Sequence, residues 1–182
     1  KDYWNKDYRP KNVDKVTVKI IPEDITRVAA LKTKEVAWID AVPPAMLAEV
    51  KAISGLKVIT LEDANNIFIQ LNAIDPKSPF VNEKVRKAVA YAIDKEAIVK
   101  NILFGQGIIY AGTTKGCEGY DPNLKPYPYD PEKAKQLLAE AGYPAGFDIT
   151  FYGLATPRVP YMKEVGEALA AYLTKVGIRC NV

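Results

Sequence analysis

Residues 79–103 read Pro79-Phe80-Val81-Asn82-Glu83-Lys84-Val85-Arg86-Lys87-Ala88-Val89-Ala90-Tyr91-Ala92-Ile93-Asp94-Lys95-Glu96-Ala97-Ile98-Val99-Lys100-Asn101-Ile102-Leu103. The stretch predicts two helices end to end, each with its own cap. Asn82 can accept backbone N–H bonds ahead of the first. Val85, Ala88, Val89 and Ala92 then fall at i, i+3, i+4 and i+7, which is one apolar stripe. Asp94 closes that helix and caps the next, whose inward residues are Ile98, Ile102 and Leu103.

Working outward, the segments before residue 79 alternate between strand and helix patterns. Lys15–Ile21, Val36–Ile39, Leu56–Leu61 and Ile67–Leu71 predict strands. Between them, Asp24 can cap a helix running through Leu31. Pro43-Pro44 opens another, with Leu47, Val50 and Ile53 inward and Gly55 at its C′ position. The order β-α-β-α-β favours a mixed or parallel sheet with helices packed on it. After the helix pair comes a long irregular stretch, 108–130, rich in Gly and Pro. Loops of that length inside a domain are usually functional or disordered. Asp130-Pro131-Glu132 starts a further helix, with Ala134, Leu137, Leu138 and Ala141 buried and Gly142 as its stop. Phe147–Tyr152 is a strand. A helix with Val165, Leu169, Leu173 and Val176 inward follows, stopped by Gly177, and Ile178–Val182 begins another strand.

Composition excludes several functions. The chain has 182 residues, 48% hydrophobic and 26% charged, an ordinary globular mixture. Its net charge of +3 is scattered along the chain, which argues against nucleic acid. No run approaches the roughly 20 apolar residues that span a bilayer. Histidine is absent, and with it the commonest general base and metal ligand. Cys117 and Cys180 are the only cysteines; they form either one disulfide or two separate thiols, and no zinc site without other ligands. Carboxylate chemistry would need two acids converging from Glu62, Asp63, Glu118 and Asp121, and nothing in the sequence brings them together. The chain opens at Lys1 without Met and closes on what reads as a strand in mid-course. The expectation is a piece of a longer protein, with any export signal outside it.

Four segments, taken in order, resemble the extracellular solute-binding proteins of family 5, the receptors of peptide-type ABC importers. The first is Ile20-Ile21-Pro22 with Thr26-Arg27-Val28-Ala29-Ala30-Leu31, then Glu35-Val36 and Asp40. It departs from the family at Lys34, often Gly there, at Ala37, often Asp, and at Trp38, usually aliphatic. The second is "PF-x-x-x-x-VR-x-A-x-x-x-AID-(K/R)-x-x-I", met by Pro79-Phe80, Val85-Arg86, Ala88, Ala92-Ile93-Asp94-Lys95 and Ile98. Tyr129-Asp130-Pro131-Glu132-Lys133-Ala134-Lys135 with Leu137-Leu138-Ala139-Glu140-Ala141-Gly142-Tyr143 is the third, after Tyr120-Asp121-Pro122. Val176-Gly177-Ile178 is the fourth.

The resemblance implies an α/β chain: an incomplete fragment of a periplasmic-binding-protein-like (type II) bilobal clamp, with mixed sheets and flanking helices. Residues 1–67 would belong to the first lobe and 68–182 to the second, with the hinge near 66–72. It implies a substrate-binding component of an ABC importer that captures a peptide or similar small solute and delivers it to permease transmembrane subunits. The alternative is a ligand-sensing receptor subunit that signals through another membrane partner. Peptides, nickel chelates, haem and oligosaccharides all fall within the family's range. It further implies no enzyme activity, no cofactor, a periplasmic or extracellular location (lipid-anchored in a Gram-positive source) and the usual monomeric state.

Site candidates follow from residues and resemblance together. Asn66, Phe68, Gln70 and Asn72 share one face of the crossing strand, opposite Ile67, Ile69 and Leu71. That face either meets solvent or lines the cleft. Loop 110–117 offers Thr113 and Thr114, within a ligand's reach or on a plain surface loop. Arg158 either pairs a ligand carboxylate or is solvated. Trp4 and Trp38 read as packing residues, while Lys95, Glu96, Lys100, Lys133, Lys135 and Glu140 read as solvated helix faces.

Overall fold

In the computed structural model, which describes residues 15–60, 66–153 and 161–182, the helix pair of residues 79–103 forms as its sequence directs. Contacts along the chain divide it into two units, Lys1–Lys57 and Val58–Val182.

The first unit carries α1 (Asp24–Lys32) and α2 (Leu47–Lys51), the latter entered through a 3-10 turn at Pro44–Met46. Val28, Ala30, Leu31 and Val50 are its buried apolar side chains. Asp24 lies in the first turn of α1 behind Glu23 at the cap position, rather than capping the helix itself. Helix α1 ends in a Schellman pair of bonds, Lys34 N–H to Leu31 and Glu35 N–H to Ala30. The Val36 N–H also goes to Ala30, at 3.2 Å. That use of its backbone removes Val36 from the strand expected at 36–39. Helix α2 is shorter than the pattern predicts, with Ala52 at its C-cap, so Gly55 sits three residues beyond, at φ +84.

The expected strands at 15–21, 36–39, 56–61 and 67–71 do not form a sheet among the described residues. Alternation gives a segment two chemically different faces, but a strand exists only when a neighbour completes its ladder. Val16, Val18 and Ile20 remain 74–90% exposed. Residues 61–65 lie outside the described residues. Trp38 is 75% exposed, so it is not the packing residue the sequence suggests; Trp4 falls outside the described residues.

The second unit holds α3 (Glu83–Ala92), α4 (Lys95–Asn101), α5 (Pro131–Glu140), β1 (Phe147–Thr150), α6 (Met162–Lys175) and β2 (Ile178–Asn181). Asn82 accepts the Lys84 N–H at 2.9 Å, Asp94 the Ala97 N–H at 2.8 Å, and Asp130 the Lys133 N–H at 2.8 Å. The three caps predicted in this unit are therefore made, unlike the one expected of Asp24. The predicted stripe of α3 is buried throughout and packs with Ala134, Leu137 and Leu138 of α5 and Val165, Leu169 and Leu173 of α6. Edge-on rings of Phe80, Phe147 and Tyr143 join the turn before α3 to β1.

Strands β1 and β2 pair in parallel, Phe147 opposite Ile178, with α6 as the crossover. The register depends on two glycines. Gly146 and Gly177 both have positive φ, and a Cβ on Gly146 would stand 1.9 Å from the Gly177 carbonyl oxygen. Beside them Arg179 grips Asp148 with two bonds, Nε at 2.7 Å and Nη2 at 2.9 Å. That guanidinium holds the Asp148 carboxyl below its usual range. Cys117 and Cys180 are separate thiols, and burial pushes the Cys180 thiol up.

One residue of the solvated face predicted on α4 is only partly solvated, while its neighbours Glu96 and Lys100 are exposed as expected. Lys95 is half-buried and donates to the carbonyls of Ala90 and Tyr127, both at 3.1 Å. Desolvation lowers its amine pKa, with Asp94 partly opposing. Glu140 stays exposed as expected and pairs at the surface with Lys84 of α3 at 2.8 Å.

Two expectations follow. Gly146→Ala should lower unfolding free energy by about 3 kcal/mol, against about 1 for Gly55→Ala, where only the backbone conformation objects; urea denaturation followed by circular dichroism measures both. Lys95→Met should cost about 1 kcal/mol through two lost carbonyl bonds, while the exposed Lys100→Met stays within about 0.5 kcal/mol. Equal costs would show the Lys95 bonds to be idle.

Candidate functional site

Along residues 66–72 the expected alternation holds only in part: Ile67, expected on the inward face, is 38% exposed. Ile69 and Leu71 pack against the core. Asn66, Phe68, Gln70 and Asn72 all face solvent in this chain, with Phe68 75% exposed. Asn72 uses its side-chain oxygen locally, accepting the Ile74 and Asp75 N–H groups at 3.3 Å. That bond shapes the turn into Asp75-Pro76. Phe68 and Gln70 are left as outward groups with no local structural duty.

Two of the predicted residues, 48 positions apart, meet. Thr114 is 7% exposed, and its hydroxyl donates to the Asn66 side-chain oxygen at 3.0 Å. Among the described residues Thr114 is the buried polar side chain. A buried hydroxyl without a partner is costly, so this bond fixes loop 110–117 to the start of the crossing segment. It also separates the roles of the two threonines. Thr114 anchors, whereas the exposed Thr113 lines a recess of about 280 Å3.

That recess is open on one side and lined by Ile108, Tyr110, Thr113, Lys115, Tyr120, Asp121 and Leu124, among others. The chain bends around it through Gly112, Gly116 and Gly119, each at positive φ. At Gly112 the approach is close, a Cβ there lying 3.2 Å from Leu124. The Asp121 carboxylate accepts the Asn123 N–H at 2.8 Å and so starts the turn that carries Leu124. Lys115, Tyr120 and Leu124 are not among the binding residues proposed from sequence. Their signal was the glycine spacing, which marks backbone reversals without saying what they enclose. Arg158 lies outside the described residues.

No group of three or more metal-ligating side chains converges among the described residues. Glu118 is exposed, while Glu62 and Asp63 lie outside the described residues. The recess offers apolar surface, hydroxyls and one charge of each sign.

The whole chain, residues 1–182, matches the family described as bacterial extracellular solute-binding proteins, family 5 middle. It belongs to that family. Heme-binding protein A of Haemophilus influenzae is 36% identical over 99% of this chain and 32% of its own length. The glutathione-binding protein GsiB of Salmonella typhimurium is 33% identical over 99% of this chain and 34% of its own. Among solved structures, HbpA2 from Haemophilus parasuis superposes with a TM-score of 0.74 at 34% identity, over 88% of this chain and 32% of that one. The periplasmic binding protein DppA from Helicobacter pylori, in complex with the peptide STSA, gives 0.67 at 31% identity, over 88% and 30%. The chain thus spans about a third of the length of these relatives. As a family 5 chain it has a partial type II binding-protein fold of the α/β class.

The family's recurring basic residues now have physical roles. Arg27 donates to the carbonyls of Ile21, Pro22 and Ala41, and Arg86 to those of Phe80 and Val81. With Lys95, they fasten backbone.

The Thr114 anchor has a direct test. Thr114→Val removes the hydroxyl at nearly constant volume and should cost about 1 kcal/mol, whereas Thr114→Ser should restore most of it. Hydrogen exchange should quicken at 110–117 in the valine variant and stay unchanged in α3 and α5. Unchanged exchange in that loop would show that the bond does not hold it.

Proposed function

We propose that this chain is part of the substrate-binding component of an ABC importer, capturing a peptide or similar small solute and delivering it to membrane permease subunits. The family match over the full chain carries this reading. In it, residues 1–67 belong to the first lobe and 68–182 to the second, and the segment 66–72 is the hinge. The outward Phe68 and Gln70, with Thr113 beside the anchored loop, then face the solute. Asn66 and Asn72 contribute chiefly by shaping that surface, and Arg158 stands as a partner for a solute carboxylate. The names of the relatives, which specify heme, glutathione and peptide, support a solute larger than a single ion.

Such a receptor needs no reacting group. A solute enclosed between two lobes loses its water, so its polar groups must find partners inside. Closure is then a two-state equilibrium, shifted by whatever extra contacts the closed form makes. The protein acts outside the cytoplasm, periplasmic or extracellular, with a lipid anchor in a Gram-positive source, and works as a monomer without enzyme activity.

A thermal-shift screen against peptides, glutathione, haem, nickel chelates and oligosaccharides tests this. It should compare the chain with a full-length receptor built around it. A ligand at 100 times its Kd stabilises the native state by about 2.7 kcal/mol. The expected result is a shift in the full-length receptor with one ligand class. No shift with any class would overturn the solute-capture reading.

A further inference from the structure

We propose that residues 66–72 are not the flexing part of the hinge but a splinted edge of the second lobe. Phe68, Gln70 and Thr113 then keep one fixed arrangement whether the receptor is open or closed. This rests on the solute-capture reading and refines it: the segment joins the lobes without being the pivot.

From the crossing segment to α3 the chain is tied at short intervals. At the start, Asn66 accepts the hydroxyl of the buried Thr114 at 3.0 Å. Ile69 and Leu71 pack against the cluster built by α3, α5 and α6. The Asn72 side-chain oxygen then accepts the Ile74 and Asp75 N–H groups. A carboxylate oxygen of Asp75 accepts the Lys77 N–H at 2.9 Å, and its carbonyl accepts the Ser78 N–H at 2.9 Å. The Ser78 hydroxyl accepts the Phe80 N–H at 3.3 Å. Phe80 is buried, and Arg86 of α3 donates to the carbonyls of Phe80 and Val81 at 2.9 and 2.8 Å. Side-chain oxygens at 72, 75 and 78 thus hand the chain from one tie to the next until it reaches α3.

Such ties decide where a hinge can act. A hinge is a few residues that absorb large φ/ψ changes. Turning the chain inside 66–72 would pull Ile69 or Leu71 from the core or leave Thr114 buried without a partner, and either costs free energy. Contacts also place the whole segment in the unit Val58–Val182 rather than dividing it between residues 67 and 68. The second lobe therefore begins at or ahead of Asn66. The face that carries Phe68 and Gln70 moves as one body with loop 110–117. A solute meets these residues already assembled, which lowers the ordering cost of binding.

Backbone amide NMR relaxation on the 182-residue chain tests this. Order parameters at 66–82 should be about 0.85, as in α3, with no microsecond-to-millisecond exchange confined to 66–72. Thr114→Val should loosen residues 66–68. Asn72→Ala should loosen 72–75 and quicken hydrogen exchange at Ile74 and Asp75 about fivefold. The amides of α3, α5 and α6 should stay unmoved in both variants, as the check on folding. Order parameters below about 0.6 in 66–72 of the parent chain, or exchange confined to that segment, would overturn the proposal. So would variants that leave 66–75 as ordered as before. The readout needs no ligand, which separates it from the thermal-shift screen. A mobile 66–72 beside a ligand shift in the full-length receptor sinks the splint and leaves solute capture standing. An ordered 66–82 with no shift for any ligand class keeps the splint and sinks the clamp.

Discussion

The contact between α3 and α5 is the constraint on which the second unit depends. It is made from small residues: Ala88, Ala92 and Ala134 are essentially inaccessible to solvent, beside Val85, Leu137 and Leu138. Small side chains let two helices approach closely, and interiors packed at that density tolerate little change in volume. Everything else in the unit is placed relative to this pair. Asp130 N–H bonds to the Tyr91 carbonyl at 2.9 Å, so the start of α5 is tied to the last turn of α3. Lys95 then fastens Tyr127 to the same helix end, and the Tyr91 and Tyr127 rings meet edge-on at 5.0 Å. The irregular stretch 108–130 is thus secured at its far end by α3. At its near end Thr114 secures it to Asn66.

Short helices make these ties necessary. A helix leaves four carbonyls unsatisfied at its C-terminus whatever its length, so in a seven-residue helix such as α4 most of the backbone is terminal. The chain meets this demand in two ways. At α5 a Schellman motif closes on Gly142 at φ +92, with Gly142 N–H to Ala139 and Tyr143 N–H to Leu138. Helix α1 makes the same two bonds, but on Lys34 at φ +62. A side chain in that left-handed region costs roughly 1–2 kcal/mol, a penalty that glycine would avoid. At the end of α3 a long cationic side chain supplies a missing donor, Lys95 to the Ala90 carbonyl, while Arg27 and Arg86 serve carbonyls outside their own helices.

This division explains what could be read from the sequence. Asn82, Asp94 and Asp130 cap local N–H groups, and the apolar stripe of α3 repeats at helical spacing, so both are legible within a dozen residues. The βαβ unit of β1, α6 and β2 was legible for the same reason, because Gly142 and Gly177 punctuate it. The strands expected at 15–21, 36–39, 56–61 and 67–71 were not, because a ladder depends on a neighbour that no local pattern names. Lys95 was read as solvated because its partner Tyr127 lies 32 residues away. Of the candidate site, the alternating face at 66–72 was legible, and so were the two threonines. Their pairing, and the recess that it frames, were not, since Asn66 and Thr114 are joined only through the folded core.

The recess and the crossing segment are therefore one mechanical object. Thr114 is buried and Thr113 is exposed, so one of two adjacent loop residues anchors while the other faces outward. Any displacement of 66–72 relative to the core must either carry loop 110–117 with it or break the bond from Thr114 to Asn66. Breaking it leaves a buried hydroxyl unpaired, at a cost of about 1–3 kcal/mol, comparable to the free energies that bias two-state hinges. Carrying the loop is the cheaper path.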